Sequence, residues 1–221
     1  MSVRFPDEEF KRIKKMLLIY EWGQKILLTK LEILHQDFLS FHINNPIENI
    51  RSRMKAPESI AQKLRDQGFE ITAENAHKHI KDIAGVRLIC TFAKDIYALA
   101  EIIRSMPNTK VLSEKDYVSN PKPSGYRGYH FYIEIPVFYS RSIENVPVEI
   151  QLRTAAMDFW ATLEHKVKYK YEEHIPPHLS DELVICADQI AQLDDRMFQI
   201  HNTISILNSD PIEDGWGDYH E

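Results

Sequence analysis

The sequence is poor in the features that most quickly assign a protein to a class. Two of its 221 residues are cysteine, Cys90 and Cys186, and neither lies in a C-x-x-C pair. That excludes a disulfide framework, a cysteine zinc site and a dithiol redox centre, and both thiols read as buried apolar side chains. No apolar run outlasts the five residues of Met16–Tyr20, against about 20 for a membrane-spanning helix. Asp7, Glu8 and Glu9 are out of place in the basic start of a signal peptide. A soluble cytoplasmic protein with no membrane partner is expected. Basic charge is scarce as well, with 27 Lys and Arg against 33 Asp and Glu, a net charge of −6. Five of the acids, Asp210, Glu213, Asp214, Asp218 and Glu221, fall in residues 209–221, and without them the chain stands at −1. A body so nearly neutral lacks the broad positive field of a general nucleic-acid binder but leaves room for local basic pockets that take a small polyanion. There is no G-x-x-x-x-G-K-[ST] loop, no G-x-G-x-x-G and no H-E-x-x-H, so any phosphate site is built from side chains rather than from glycine-rich backbone.

What is present is globular: 43% hydrophobic and 27% charged residues, a length suited to one large domain with an appendage. Apolar residues recur near the helix period at Phe10, Ile13, Leu17, Tyr20, Leu27, Leu31, Leu34 and Phe38, which predicts a long N-terminal helix within residues 1–45. Arg51 to Ser59 reads as a loop feeding a helix that Pro57 opens and Gly68 ends. Gly85–Phe92 reads as a strand, 94–106 as a helix, 110–114 as a strand, and the Pro-punctuated stretch 115–125 as a loop. Two longer strands follow, 126–138 and 146–154. Their alternation sets Phe131, Ile133 and Ile135 against His130, Tyr132 and Glu134, and sets Val146, Val148, Ile150 and Leu152 against Glu149, Gln151 and Arg153. Side chains alternate along a strand, so the pair offers one apolar and one polar face. Helices are expected at 155–171 and 180–207, the second with an apolar stripe at Leu183, Ala187, Ile190, Leu193, Phe198 and Ile204. The resulting division is 1–45, 46–175, 176–208 and an acidic, disordered tail at 209–221.

Two groups of residues carry chemistry. Arg51, Arg53, Lys55 and Ser59 put three cations and a hydroxyl beside a helix N-terminus, which suits a polyphosphate clamp as well as it suits a solvated basic loop. Asp82, just before one strand, and Glu149, on the polar face of another, would share a divalent cation if the strands are neighbours. His77 and His79, without further ligands nearby, read as loop residues rather than a metal pair.

Five segments then occur in a fixed order: Arg53-x-Lys55-x-x-x-Ser59, Asp82-Ile-Ala-Gly-Val-Arg87, Gly125-Tyr-Arg-Gly-Tyr-His130, Val148-Glu-Ile-Gln-Leu-Arg-Thr154 and Trp160-Ala-Thr-Leu-Glu-His165. Together they resemble the synthetase domain of the RelA/SpoT family over about Pro46–Tyr171, and the chain as a whole is similar to the stand-alone small alarmone synthetases of that family. The resemblance implies a mixed α+β fold of the nucleotidyltransferase kind, a five-stranded mixed sheet flanked by helices, with long terminal helices. It implies transfer of the β,γ-diphosphate of ATP to the 3′-hydroxyl of GTP or GDP, giving AMP and (p)ppGpp, with Mg²⁺ as cofactor. On the ATP side, Arg53 and Arg87 would sandwich adenine while Lys55, Ser59 and Lys63 hold phosphates. Asp82 and Glu149 would be catalytic and hold the metal. Lys122, Tyr126, Arg127, His130, Gln151 and Arg153 would take GTP or GDP, with the Tyr126 ring against guanine. Where many relatives have Asn, this chain has Asp158. Members that also hydrolyse the alarmone carry a His-Asp pair in an extra domain, and no His-Asp dipeptide occurs here. Asn49 and Arg51 differ from the aromatic and threonine expected in product-activated relatives, which leaves a regulatory nucleotide or RNA open. The terminal helical stripes predict a homo-oligomer, a tetramer by family resemblance. Two other readings stand beside the synthetase: a non-catalytic guanine-nucleotide or RNA-binding regulator, and a nucleotidyltransferase releasing pyrophosphate.

Overall fold

A computed structural model describes residues 5–42, 44–170 and 176–207. The elements run α1 (Asp7–Phe41), β1 (Ile47–Met54), α2 (Pro57–Asp66), α3 (Ala73–His79), β2 (Ala84–Cys90), α4 (Ala93–Ser105), β3 (Lys110–Asp116), β4 (Tyr129–Tyr139), β5 (Ser142–Thr154), α5 (Ala155–Lys170) and α6 (Pro177–Leu207). The strands form one sheet in the order β1-β2-β5-β4-β3, with β2 and β5 parallel and every other pair antiparallel. The mixed five-stranded sheet expected from the family resemblance is therefore present.

The alternation of β4 and β5 holds. Phe131, Ile133, Val148, Ile150 and Leu152 are all fully buried, and the β2–β5 register sets Val86 beside Ile150 and Leu88 beside Leu152, extending the apolar face by one strand. Helix α1 covers that face. Its residues Ile13, Tyr20, Leu27, Leu31 and Phe38 are at most 2% exposed and join one core with the sheet and with Ile96, Leu99 and Ile103 of α4. The α1 stripe is thus covered within its own chain rather than offered to a second subunit. A small second cluster of Tyr126, Trp160, Ala161 and Ala187 joins the loop before β4 to α5 and α6.

Several sequence expectations shift. Arg51 and Arg53 lie in strand β1 rather than in a loop: the polar run has no alternation to betray a strand, but it pairs antiparallel with β2 from Ile47 to Met54. His77 and His79 lie in helix α3, which Thr72 caps by accepting from the Asn75 amide. Tyr126 precedes β4, which begins at Tyr129. Cys90 is buried as expected, whereas Cys186 on α6 is exposed. The acidic segment 209–221 lies outside the described residues. Among the described residues, no helix is long and apolar enough to cross a membrane.

The approach of α1 to β5 is close enough to test. A Cβ on Gly23 would lie 2.9 Å from both Cβ and Cγ1 of Val146, so alanine has to push the helix off the strand. Overpacking of this kind costs about 1–3 kcal/mol, against about 1 kcal/mol of helix propensity gained over glycine. Gly23→Ala is therefore expected to lower the urea midpoint, and Gly23→Ala combined with Val146→Gly, which removes both contacting carbons, to cost less than the sum of the two single changes. Additive losses would mean that the contact is not what limits the site.

Candidate active site

Strand register builds the site. On the polar face, Arg51 of β1 is opposite Arg87 of β2, Arg87 is opposite Gln151 of β5, and Gln151 is opposite His130 of β4. The neighbouring rung, two residues along each strand, runs Arg53, Gly85, Glu149 and Tyr132. Since Gly85 has no side chain, its place in that rung is open. The result is a cleft of about 180 Å³ lined by Arg51, Ser52, Arg53, Gly85, Val86, Arg87, Glu149 and Gln151. Gln24 anchors the floor from behind: its Nε2 donates to the carbonyls of both Arg53 and Gly85, at 2.8 and 2.9 Å. Sequence reasoning passed over Gln24, although a polar residue between Tyr20 and Leu27 in a buried stripe was a signal.

Glu149 is 4% exposed and is held on both oxygens. His130 Nδ1 at 3.1 Å and the Tyr132 hydroxyl at 3.0 Å donate to Oε1, and Gln151 Nε2 donates to Oε2 at 2.9 Å. Burial alone would raise its pKa, but the hydrogen bonds from His130, Tyr132 and Gln151 prevail and hold it below the ordinary glutamate value, so Glu149 is a carboxylate at neutral pH. Burial and the adjacent Glu149 charge push the Tyr132 phenol up, which keeps Tyr132 a donor. Period-two alternation had put Tyr132 on the polar face, and its partnership with Glu149 follows from the β4–β5 register.

Asp82, in the turn before β2, accepts from Lys55 Nζ on Oδ2 and from Lys63 Nζ on Oδ1, both at 2.8 Å, with Arg53 Nη2 at 3.7 Å. Pro57 at the start of α2 sets that helix so that Ser59 lies exposed in its first turn and Lys63 in its last. The clamp residues are therefore assembled, but around a carboxylate. Asp158, in the first turn of α5, performs the same service for the arginines. It is 7% exposed and accepts from Arg87 Nη1 at 2.8 Å and Arg153 Nη1 at 3.0 Å, with Arg51 Nη1 at 3.6 Å.

The loop between β3 and β4 closes the other side. Lys122 Nζ lies over the rings of Tyr117 and Tyr126, 4.6 and 4.9 Å from their centroids, a cation–π arrangement. The Tyr126 hydroxyl meets His130 Nε2 and receives two bonds from Arg153. Gly125, at φ 86°, brings the loop against α6, where a Cβ would sit 2.7 Å from that of Ala187. Lys122, Tyr126, His130, Gln151 and Arg153 are thus brought together. Arg127 turns away, donating to the Val118 carbonyl at 3.1 Å and to Asp188 of α6 at 3.5 Å. Among the described residues no group of three or more His, Cys, Asp or Glu side chains is placed to hold a metal ion, His77 and His79 included.

Residues 52–174 match the region found in RelA / SpoT proteins. The chain is 44% identical to the GTP pyrophosphokinase YwaC of Bacillus subtilis (strain 168), over 86% of this chain and 91% of that one. The crystal structure of small alarmone synthetase 2 from Bacillus subtilis superposes with a TM-score of 0.78 at 42% identity, covering 86% of this chain and 98% of the other. Small alarmone synthetase 1 of the same organism, bound to its product pppGpp, superposes with a TM-score of 0.81 at 32% identity, covering 88% and 98%.

The Asp82 cluster has a pH signature. Burial by itself would raise this carboxyl, but the Lys55 and Lys63 hydrogen bonds and charges bring it down to about 2. A pKa that falls on folding contributes stability above the ordinary aspartate range, and that stability is lost as pH drops toward the folded value. Asp82→Asn is expected to lower unfolding free energy by about 1–2 kcal/mol at pH 7, with the gap to wild type narrowing between pH 4 and pH 2 in urea titrations. A gap that is constant over that range would show that the ion pairs contribute nothing.

Proposed function

The chain belongs to the RelA/SpoT family, and on that premise we propose that its activity is (p)ppGpp synthesis, the transfer of the β,γ-diphosphate of ATP to the 3′-hydroxyl of GTP or GDP with release of AMP. The observation that carries this reading is the ionised, buried Glu149, which faces a cleft lined by Arg51, Arg53 and Arg87 and is joined through His130 to Tyr126 of the loop before β4. A pyrophosphoryl transfer needs two nucleotides fixed in line, cations that compensate the phosphate charge and a base at the attacking hydroxyl, and positioning with charge compensation supplies most of the catalysis.

On the donor flank, Arg53 and Arg87 would hold adenine between their guanidinium planes, a use that lysine cannot copy. Lys55, Ser59 and Lys63 would hold the triphosphate, with the lysines exchanging Asp82 for phosphate oxygens. On the acceptor flank, Tyr126 would take the base, and Lys122, His130, Gln151 and Arg153 would form the surrounding polar group, which Arg127 joins only on leaving Val118 and Asp188. The attacking 3′-oxygen forms a bond to the β-phosphorus, the bond from that phosphorus to the α,β-bridging oxygen breaks, and the oxygen leaves on AMP. Glu149 accepts a hydrogen bond from the 3′-hydroxyl and draws its proton away. Two carboxylates, with no third acidic ligand among the described residues, suit Mg²⁺, which keeps water and nucleotide phosphates in its other positions. Asp82 and Glu149 would hold it, and its charge there would neutralise phosphate charge. A cytoplasmic location, where both nucleotides are abundant, fits this reading.

The outer face of α6 supports self-association. Ile185, Leu193, Met197, Ile200 and Ile204 are 46–58% exposed, an apolar surface of the kind that marks an interface. We assign this face to a homo-oligomer, a tetramer. Light scattering at micromolar concentration is expected to give a multiple of the 25.9 kDa chain mass. A monomer mass would refute it, and a dimer would refute the stoichiometry.

Glu149→Gln keeps the side-chain size and removes the charge. It is expected to lower turnover at least about a hundredfold, while ATP binding measured by equilibrium dialysis stays within about threefold. Activity within about tenfold of wild type would remove Glu149 from the centre of the reaction.

A further inference from the structure

Four of the cations around the cleft are held by carboxylates, Lys55 and Lys63 by Asp82, and Arg87 and Arg153 by Asp158. Lys81 is arranged differently. It lies exposed in the turn before β2, one residue ahead of Asp82, and among the described residues its ammonium forms no ion pair. Its Nζ is folded back over the ring of Tyr132, 5.4 Å from the centroid.

That contact fixes where the charge lies. Tyr132 belongs to β4, and β5 runs between β2 and β4 in the sheet. The lysine therefore reaches over β5 on the polar face, from the Asp82 side of the cleft toward the Glu149 side. Tyr132 is opposite Glu149 in the register, and its hydroxyl donates to Glu149 Oε1 at 3.0 Å. The hold on the ring is loose, since an exposed cation–π contact is worth about 0.5–1 kcal/mol. A hydrogen bond to a charged group is worth about 1.5–3 kcal/mol, so a phosphate oxygen displaces the ring readily. Lys55 and Lys63 have to leave a carboxylate to do the same.

The geometry points to Lys81 as a further phosphate-binding residue, one that takes oxygens at the β-phosphoryl, reacting end of the diphosphate. This rests on the synthetase reading, in which the β-phosphorus comes beside the 3′-hydroxyl that Glu149 receives. Lys81 carries a positive charge from the Asp82 side to that point and leaves Lys55 and Lys63 to the remaining phosphate oxygens. A compact ammonium on a flexible stem can stay with a group that moves, and a cation already placed where charge redistributes acts on the rate. Since its contact is to the transferred group, the effect of Lys81 is the same whether the acceptor is GTP or GDP.

Lys81→Met keeps an apolar stem against the Tyr132 ring and removes the charge. In equilibrium dialysis with the full chain, its affinity for ATP is expected to fall about tenfold, while its affinity for AMP, which lacks the diphosphate, stays within about twofold. Turnover is expected to fall at least about tenfold, equally with GTP and with GDP, and Lys81→Arg to recover most of both losses. An unchanged ATP affinity would overturn the inference. Equal losses for ATP and AMP would overturn it too, by showing that Lys81 only props the site, and a loss of turnover seen with GTP but not GDP would move the contact to the acceptor's 5′-phosphates. If wild type shows the ATP-against-AMP contrast but forms no 3′-diphosphate, the synthetase reading fails while Lys81 remains a phosphate ligand.

Discussion

The pairing register of β5, parallel to β2 on one side and antiparallel to β4 on the other, is the constraint on which the rest depends. It puts Gly85, Glu149 and Tyr132 in one rung and Arg87, Gln151 and His130 in the next. Side chains repeat every second residue, so a slip of one position in β5 would bury Glu149 in the apolar core and push Ile150 into the cleft. The fully buried Val148, Ile150 and Leu152 hold the register against that slip. The hydrophobic effect that folds the sheet is therefore also what places the carboxylate among its donors.

The second organising feature is electrostatic. Two carboxylates hold the cations before a nucleotide arrives: Asp82 gathers Lys55 and Lys63, and Asp158 gathers Arg87 and Arg153. Cations clustered without such partners would repel one another, and ordering long side chains costs entropy. Fixing them in the free protein moves both costs out of the binding step. Asp158 stands where relatives were expected to have asparagine, and its full charge suits a residue flanked by three guanidinium groups.

Much of the fold was legible in the sequence because it rests on periodicity. The α1 stripe and the alternation of β4 and β5 both reappear as buried faces. Strand β1 was not legible: Arg51, Ser52 and Arg53 look like a loop until β2 pairs with them, since an edge strand with polar residues carries no local signature. The positions of Asp82 and Glu149 could be read from strand assignments alone. The roles of Gln24, Tyr132 and Asp158 could not, because each depends on which residue of another element lies opposite. The oligomer argument divided in the same way. Periodicity finds an apolar stripe but does not say what covers it, and for α1 the cover is its own sheet.

The account stands or falls on where the diphosphate goes. The direct measurement is to incubate the wild-type chain with GTP, Mg²⁺ and ATP labelled at the β-phosphorus, and to resolve the products by anion exchange. The label is expected in a guanosine nucleotide that carries a 3′-diphosphate, with one unlabelled AMP formed for each. Label appearing as free pyrophosphate would mean nucleotidyl transfer, and label remaining wholly in ATP would mean a binding protein; either result contradicts the account.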